Sequence, residues 1–523
     1  MTFVNPLYPI VWLPLVVGAF LLACHYRPAA APAVLLAASL LFCFANDPVA
    51  LTFLGCSILG NFAFHQVIGR AAPGSRARAV SLGAAILANL APLVALKLSQ
   101  QGRPAFAALP GADGIRSAIP LGLAFYTLQQ ITFLVDASRH GAERLGLTRY
   151  AAWISFFGQL PAGPIASYAR MAPQYARLGL APPSSATIAK GFTLILVGII
   201  KKTWLADSIA RMVDAILAGA NGGTVTPLEA WASAWGFMLQ LYFDFSAYSD
   251  IAIGTGLCFG LFLPMNFDSP LKSTTPGQYV MRWHISLMTF VRDYVFQPVF
   301  AVARKLPIRP TGRRYGVAWA LATLCAFLAV GAWHTLALLP LLEAFGLALV
   351  IIALQFLRLR SRGRPRQASP WALRARRLAV HLLLLLAVSA FALLLRVDSQ
   401  EQFTRLYPAL VDVRAAAAVG TDILAYLAGL IEHGGAAIPP RLMPHASISS
   451  VQSLVWLGVA TTVALSCPNT MQIFGIAEAA RERAWIRWSP SVIWGCIAGA
   501  LLYGALLGMT QPLLPQGFIY GRF

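Results

Sequence analysis

The chain has 523 residues, 58% of them hydrophobic and only 11% charged, where a soluble protein carries roughly 25% charged residues. A water-soluble class is thereby excluded, and the dominance of Leu and Ala without alternating strand patterns excludes an outer-membrane barrel. The net charge of +21 is no nucleic-acid footprint, because the arginines cluster in short loops between apolar runs: Arg70, Arg76 and Arg78; Arg139, Arg144 and Arg149; Arg304 to Arg314; and eight between Arg358 and Arg377.

Apolar runs of about 18 residues or more are long enough to cross a ~30 Å hydrocarbon core as helix. They predict spans near 7–24, 30–46, 49–69, 79–97, 118–136, 149–168, 188–216, 229–247, 248–266, 315–339, 340–357, 376–396, 450–466 and 490–511. Met1 to Pro6 lacks a basic n-region, and no cleavage site follows the first run, which therefore reads as an uncleaved span. The basic loops after 69, 136 and 357 belong on the cytoplasmic side, which puts the N-terminus outside. Simple alternation then leaves the 169–187 loop, with Arg170 and Arg177, on the wrong side. Pro161-Ala162-Gly163-Pro164 breaks a helix there and marks a segment that dips in and returns.

The stretch 267–300 is polar, proline-punctuated and rich in aromatics, which fits interfacial or re-entrant helix leading into the core. Val397 to Ser447 is mildly acidic, with Asp398, Glu401, Asp412, Asp422 and Glu432 against Arg405, Arg414 and Arg441, and reads as an extracytoplasmic segment. No internal repeat is visible, which counts against inverted-repeat transporters. The expected fold is all-α: one polytopic integral-membrane domain over 1–523, with re-entrant or interfacial helices around a buried active-site cavity. The seven cysteines lie in or beside apolar runs without CxxC or zinc spacing, so they read as small hydrophobes and no metal site is expected.

Two histidines stand in tryptophan-flanked apolar sequence, Arg282-Trp283-His284-Ile285-Ser286-Leu287 and Gly331-Ala332-Trp333-His334-Thr335-Leu336. A titratable ring in hydrocarbon costs free energy unless it faces a protein interior or a wet cavity, and neutral imidazole accepts a proton near pH 7. His334 sits deep in an apolar span; His284 lies in a segment that reads as wetter and could be a satisfied interfacial histidine. Tyr242-Phe243-Asp244-Phe245-Ser246-Ala247-Tyr248-Ser249-Asp250 reads as the end of one helix, with Ser249 or Asp250 capping the next at Ile251. Asp244, deeper, either orients a histidine or arginine or pairs structurally. Lys201-Lys202 interrupts an apolar stretch, either snorkelling at one face or meeting an anionic phosphate. Gly254-Thr255-Gly256 through Gly260 fits close helix packing, since no strand precedes it for a dinucleotide loop.

These residues resemble the membrane-bound O-acyltransferase superfamily, and within it the bacterial alginate O-acetylation branch. The resemblance rests on Ile119-Pro120-Leu121-Gly122 through Phe125-Tyr126-Thr127, on Leu134-Val135-Asp136 and on Phe157-Gly158-Gln159-Leu160-Pro161-Ala162-Gly163-Pro164-Ile165. Tyr242–Asp250, Asn266-Phe267 with Pro270, Arg282–Leu287, Arg292-Asp293-Tyr294, Trp333-His334, Arg396–Ser399, Pro468-Asn469-Thr470 with Gln472, and Phe518-Ile519-Tyr520 follow in the family's order. The family-like core covers about 115–523, preceded by the N-terminal spans of 1–114. The chain departs from the pattern at Ala247, Val280-Met281 and Thr335, and it lacks the further His-Gly after His334.

The resemblance implies that His334 is the catalytic histidine and His284 the second active-site polar residue. Asp244, Tyr242, Ser246, Arg282, Trp283, Trp333, Lys201 and Lys202 are candidate substrate or donor contacts. It also implies an acyl thioester donor such as acetyl-CoA from the cytoplasm, with no bound cofactor. The acceptor would be an exported polysaccharide, reached through a periplasmic SGNH-type acetyltransferase or another polysaccharide-modification protein, in contact with membrane lipid at the bacterial inner membrane. Acylation of lipid or teichoic acid, D-alanyl transfer included, is the alternative within the class. A transporter or flippase using Asp244, His284 and His334 as a polar path is the alternative outside it.

Overall fold

The computed structural model describes residues 3–100, 119–140, 146–361, 369–433, 441–445, 448–476 and 484–510. Among them all regular structure is helical. Seven helices among the described residues are long and apolar enough to cross a membrane: Tyr8–Tyr26, Pro28–Asn46, Pro48–Arg70, Arg76–Ser99, Thr311–His334, Pro370–Leu394 and Val492–Thr510. Each coincides with a predicted span. Pro340–Phe356 and Gln452–Ser466 are shorter apolar helices at two further predicted places. Arg144, the 362–368 part of the basic loop and the Phe518-Ile519-Tyr520 element lie outside the described residues.

Of the remaining predicted spans, those at 229–247, 248–266 and 149–168 are corrected. The two placed at 229–247 and 248–266 are one 32-residue helix, Pro227–Cys258, roughly 48 Å long at about 1.5 Å per residue. It starts at a capping box in which the Thr226 side chain and Glu229 satisfy each other's backbone N–H groups. It does not stop at Ser249-Asp250, because those polar groups find partners inside the protein. The helix is buried on nearly all sides, as an all-round apolar helix must be. Its main neighbour is Ser185–Ile200. There the Gly254 carbonyl lies only 2.5 Å from where a Cβ on Gly191 would stand, and the Gly191 carbonyl is equally close to a Cβ on Gly254. The glycines are thus required for close packing, the role expected of Gly254.

The run predicted at 188–216 is continuous but not uniform: Ser185–Ile200 passes through a π-helical turn, Lys201–Ala206, into Asp207–Gly219. The run at 149–168 is no span. Helix Leu147–Ser155 ends, the chain bends through the Pro161-Ala162-Gly163-Pro164 segment, and Tyr168–Ala176 leaves it, so the helix break expected there is present. The run at 118–136 becomes the largely buried helix Leu123–His140. Between the central helix and Thr311–His334 lie the short helices Pro276–Arg282, Ile285–Val291 and Gln297–Ala303 with a π-helical turn at Arg292–Phe296, so that 267–300 is broken helix rather than one span.

Candidate active site

The apolar sequence from Val317 to Gly331, free of proline, keeps Thr311–His334 helical. His334 is the last residue of that helix; Thr335 is extended at φ −161°, while its N–H still donates to the Gly331 carbonyl at 2.9 Å. The carbonyls of Trp333 and His334 therefore lie beyond the helix's own hydrogen bonds. Both accept from Lys97 Nζ at 2.5 Å. Trp333 Nε1 donates to the Ala124 carbonyl at 3.0 Å, tying the helix end to Leu123–His140. The Trp333 ring touches both imidazoles, with centroids 4.8 Å from His334 and 6.2 Å from His284. The structure thus gathers the two histidines around one indole, although 49 residues separate them in sequence.

His284 joins Pro276–Arg282 to Ile285–Val291 in a left-handed conformation, φ 44°. A non-glycine residue adopts that region only where its surroundings enforce it. Here Asn266 does so: its carbonyl accepts from Ile285 N at 2.9 Å, and its Oδ1 accepts from Ser286 Oγ at 2.6 Å. Asn266 Nδ2 donates to Ser249 Oγ on the central helix at 3.0 Å. Ser286 Oγ accepts in turn from Ile165 N at 2.9 Å, and Ala162 N donates to Tyr248 Oη at 2.9 Å. The proline-broken segment, the central helix and the His284 junction form one hydrogen-bonded unit. The expectation that His284 is the wetter histidine is corrected: it is 1% exposed and packs edge-on to Phe245 at 4.6 Å, whereas His334 is only half-buried.

His334 lines a cavity of about 190 Å³ together with Trp283, Tyr279, Met238, Leu241 and Glu343. Glu343 was not singled out from sequence, and its Oε2 is buried without a hydrogen-bond partner among the described residues. On the Trp333 side a separate cavity of about 550 Å³ is lined by Lys97, Leu336 and apolar residues, with Arg139 also on its wall. A third, of about 200 Å³, carries Tyr242, Ser246, Lys201, Asp250, Asn266 and Thr470 among apolar residues. Tyr242 also meets Trp283, with ring centroids 6.3 Å apart, and Ser246 Oγ donates to the Phe243 carbonyl at 3.4 Å. Arg282 is 3.9 Å from Asp268. Nearby Lys272 donates to the Cys467 carbonyl at 2.5 Å, and burial holds its ammonium below its ordinary value.

The lysine pair does not snorkel. Lys202, 1% exposed, reaches Asp207 at 2.6 Å and Asp244 at 2.7 Å. Lys201 reaches Asp250 at 2.8 Å, and Asp250 accepts from Thr470 at 2.8 Å. Asp244 therefore has a buried lysine as its ion-pair partner. Buried charges persist when they are paired and hydrogen-bonded, and these sites meet that condition within the fold. Lys97 was likewise not singled out from sequence, and Asn266 entered only as part of the family-like Asn266-Phe267 element, without a role of its own. A lysine at the end of a predicted span and a glutamate inside one are the signal that could have found Lys97 and Glu343.

Residues 125–382 match the family model of the membrane-bound O-acyltransferase family. The chain is 30% identical over 326 residues to a peptidoglycan O-acetyltransferase of Helicobacter pylori, covering 57% of this chain and 61% of that protein. It is 29% identical over 304 residues to a probable alginate O-acetylase of Pseudomonas aeruginosa, covering 57% of this chain and 56% of that protein. Over 220 residues it is 27% identical to a teichoic acid D-alanyltransferase of Bacillus subtilis, covering 42% and 54%. The chain thus spans roughly six-tenths or less of the length of these relatives.

Proposed function

Because the chain belongs to the membrane-bound O-acyltransferase family, we propose that it transfers an acyl group, acetyl first among candidates, toward hydroxyl groups of an exported polysaccharide. The donor in this reading is acetyl-CoA or another acyl thioester from the cytoplasmic side of a bacterial inner membrane. The N-terminus lies on the periplasmic side, and a periplasmic SGNH-type acetyltransferase or similar protein completes the transfer to polymer. His334 takes the proton from the accepting hydroxyl as its oxygen attacks the thioester carbonyl. The tetrahedral oxyanion then collapses, the carbon–sulfur bond breaks, and the proton passes from His334 to the leaving thiolate. His284 helps to stabilise the oxyanion, and the apolar walls keep water from hydrolysing the donor.

The observation that carries this reading is the position of His334: the terminal residue of an apolar helix, on the wall of a cavity, sharing Trp333 with the buried His284. His334→Gln keeps polarity and approximate size but removes the proton acceptor needed here. Acetyl content of the exported polysaccharide should fall by roughly 10²–10⁴-fold at unchanged protein level in the membrane. Wild-type acetylation in that variant would remove His334 as the base.

Glu343 supports a second reading. A carboxyl group on the same cavity wall as His334 is chemically matched to the ammonium of an aminoacyl group, the chemistry named for the Bacillus subtilis relative. Feeding labelled acetate and labelled D-alanine to cells and locating each label in the exported polymer separates the two.

A further inference from the structure

We infer that Lys97, in the N-terminal helices outside the family-matching segment, is a positioning residue for His334. The inference rests on the reading of His334 as the base. Lys97 stands near the end of Arg76–Gln100 and is 4% exposed. Among the described residues its ammonium has no carboxylate within ion-pair distance. A buried ammonium without a counter-ion is costly in an apolar span and is kept where strong acceptors offset that cost. The acceptors here are the carbonyls of Trp333 and His334, both at 2.5 Å. They are the terminal carbonyls at the negative end of a helix macrodipole, where a cation is favourable.

The contact is made to the backbone of the proposed base itself. With Trp333 Nε1 fixed to the Ala124 carbonyl, the helix end is held from two independent elements, Arg76–Gln100 and Leu123–His140. Removing the ammonium takes the donor from both carbonyls, releases one of these anchors and lets the imidazole shift against the reacting oxygen. Misplacement of about 1 Å costs on the order of 10²-fold in rate, and the loss falls on turnover, since Lys97 does not line the His334 cavity. A guanidinium carries several donors in a fork and can reach both carbonyls.

The test uses membrane vesicles with the full chain, supplied with labelled acetyl-CoA at varied concentration. Lys97→Met should lower the maximal rate by roughly 10- to 100-fold with apparent KM for acetyl-CoA unchanged, and Lys97→Arg should restore most of the rate. Hydrogen exchange over 328–337 reads the anchoring without chemistry: Lys97→Met should speed exchange at Thr335, and Lys97→Arg should not. If Lys97→Met does not accumulate, Lys97→Gln, neutral but still a donor, should give an intermediate rate and intermediate exchange. A wild-type maximal rate in the Met or Gln variant, a loss carried by KM alone, or unchanged exchange overturns the inference. Failure of wild-type vesicles to take up acetyl label, with exchange altered as stated, counts against the acetyl-transfer reading and not against the anchoring.

Discussion

The core around Lys202 and the helix end at His334 both hold ionisable side chains in apolar surroundings, and they treat them in opposite ways. Around Lys202 each ionisable group has a partner of opposite sign: two carboxylates share one ammonium, and a second lysine–aspartate pair has a carboxylate that also accepts from Thr470. At His334 the groups are matched to backbone or line a cavity: Lys97 on two carbonyls, His334 and Glu343 on a cavity wall. The first arrangement closes its electrostatics within the fold; the second leaves capacity for a ligand. An intramembrane charge is therefore informative about chemistry only after its partners are known.

The sharpest way to break this comparison is Lys202→Met. It leaves Asp207 and Asp244 buried without their cation, and removing one partner of a buried pair costs about 3–5 kcal/mol. Less protein in the membrane and a lower unfolding temperature in detergent should result; unchanged stability would contradict the structural assignment of the pair. His284→Ala should instead spare the fold and reduce acyl transfer by about 10²–10³-fold. Activity within severalfold of wild type would show that His284 only packs against Phe245 and Trp333.

Smaller effects sharpen the picture. Ser286→Ala removes the acceptor for the Ile165 N–H and one donor to Asn266. A buried donor left unsatisfied costs about 1–3 kcal/mol, and thermal unfolding in detergent should register it. Glu343→Gln should change acetyl transfer by less than about threefold while abolishing any D-alanyl transfer, since only the aminoacyl group needs the charge. Equal loss of both would make Glu343 part of the general machinery.

Much of this division was legible in the sequence, for identifiable reasons. Trp-His pairs inside hydrophobic runs stand out, and Pro161-Ala162-Gly163-Pro164 announces its break because proline and glycine act locally. The join of 229–247 to 248–266 was not legible. Tyr248-Ser249-Asp250 looks like a helix end until Ala162, Asn266, Lys201 and Thr470 arrive from distant sequence to satisfy it. The burial of His284 was hidden in the same way, because Ser286, one of the polar residues that make its segment look wet, bonds Asn266 from the preceding predicted span. Lys97 reads as an ordinary span end until the helix carrying His334 is packed against it.

The most direct test is specific activity per folded molecule, measured side by side for purified His334→Gln and Lys202→Met with labelled acetyl-CoA. His334→Gln should unfold at the wild-type temperature and transfer acetyl at least ~10²-fold more slowly, whereas Lys202→Met should unfold earlier while its folded fraction works at near the wild-type rate. A His334→Gln enzyme with wild-type turnover, or a stable Lys202→Met protein without activity, would contradict the account.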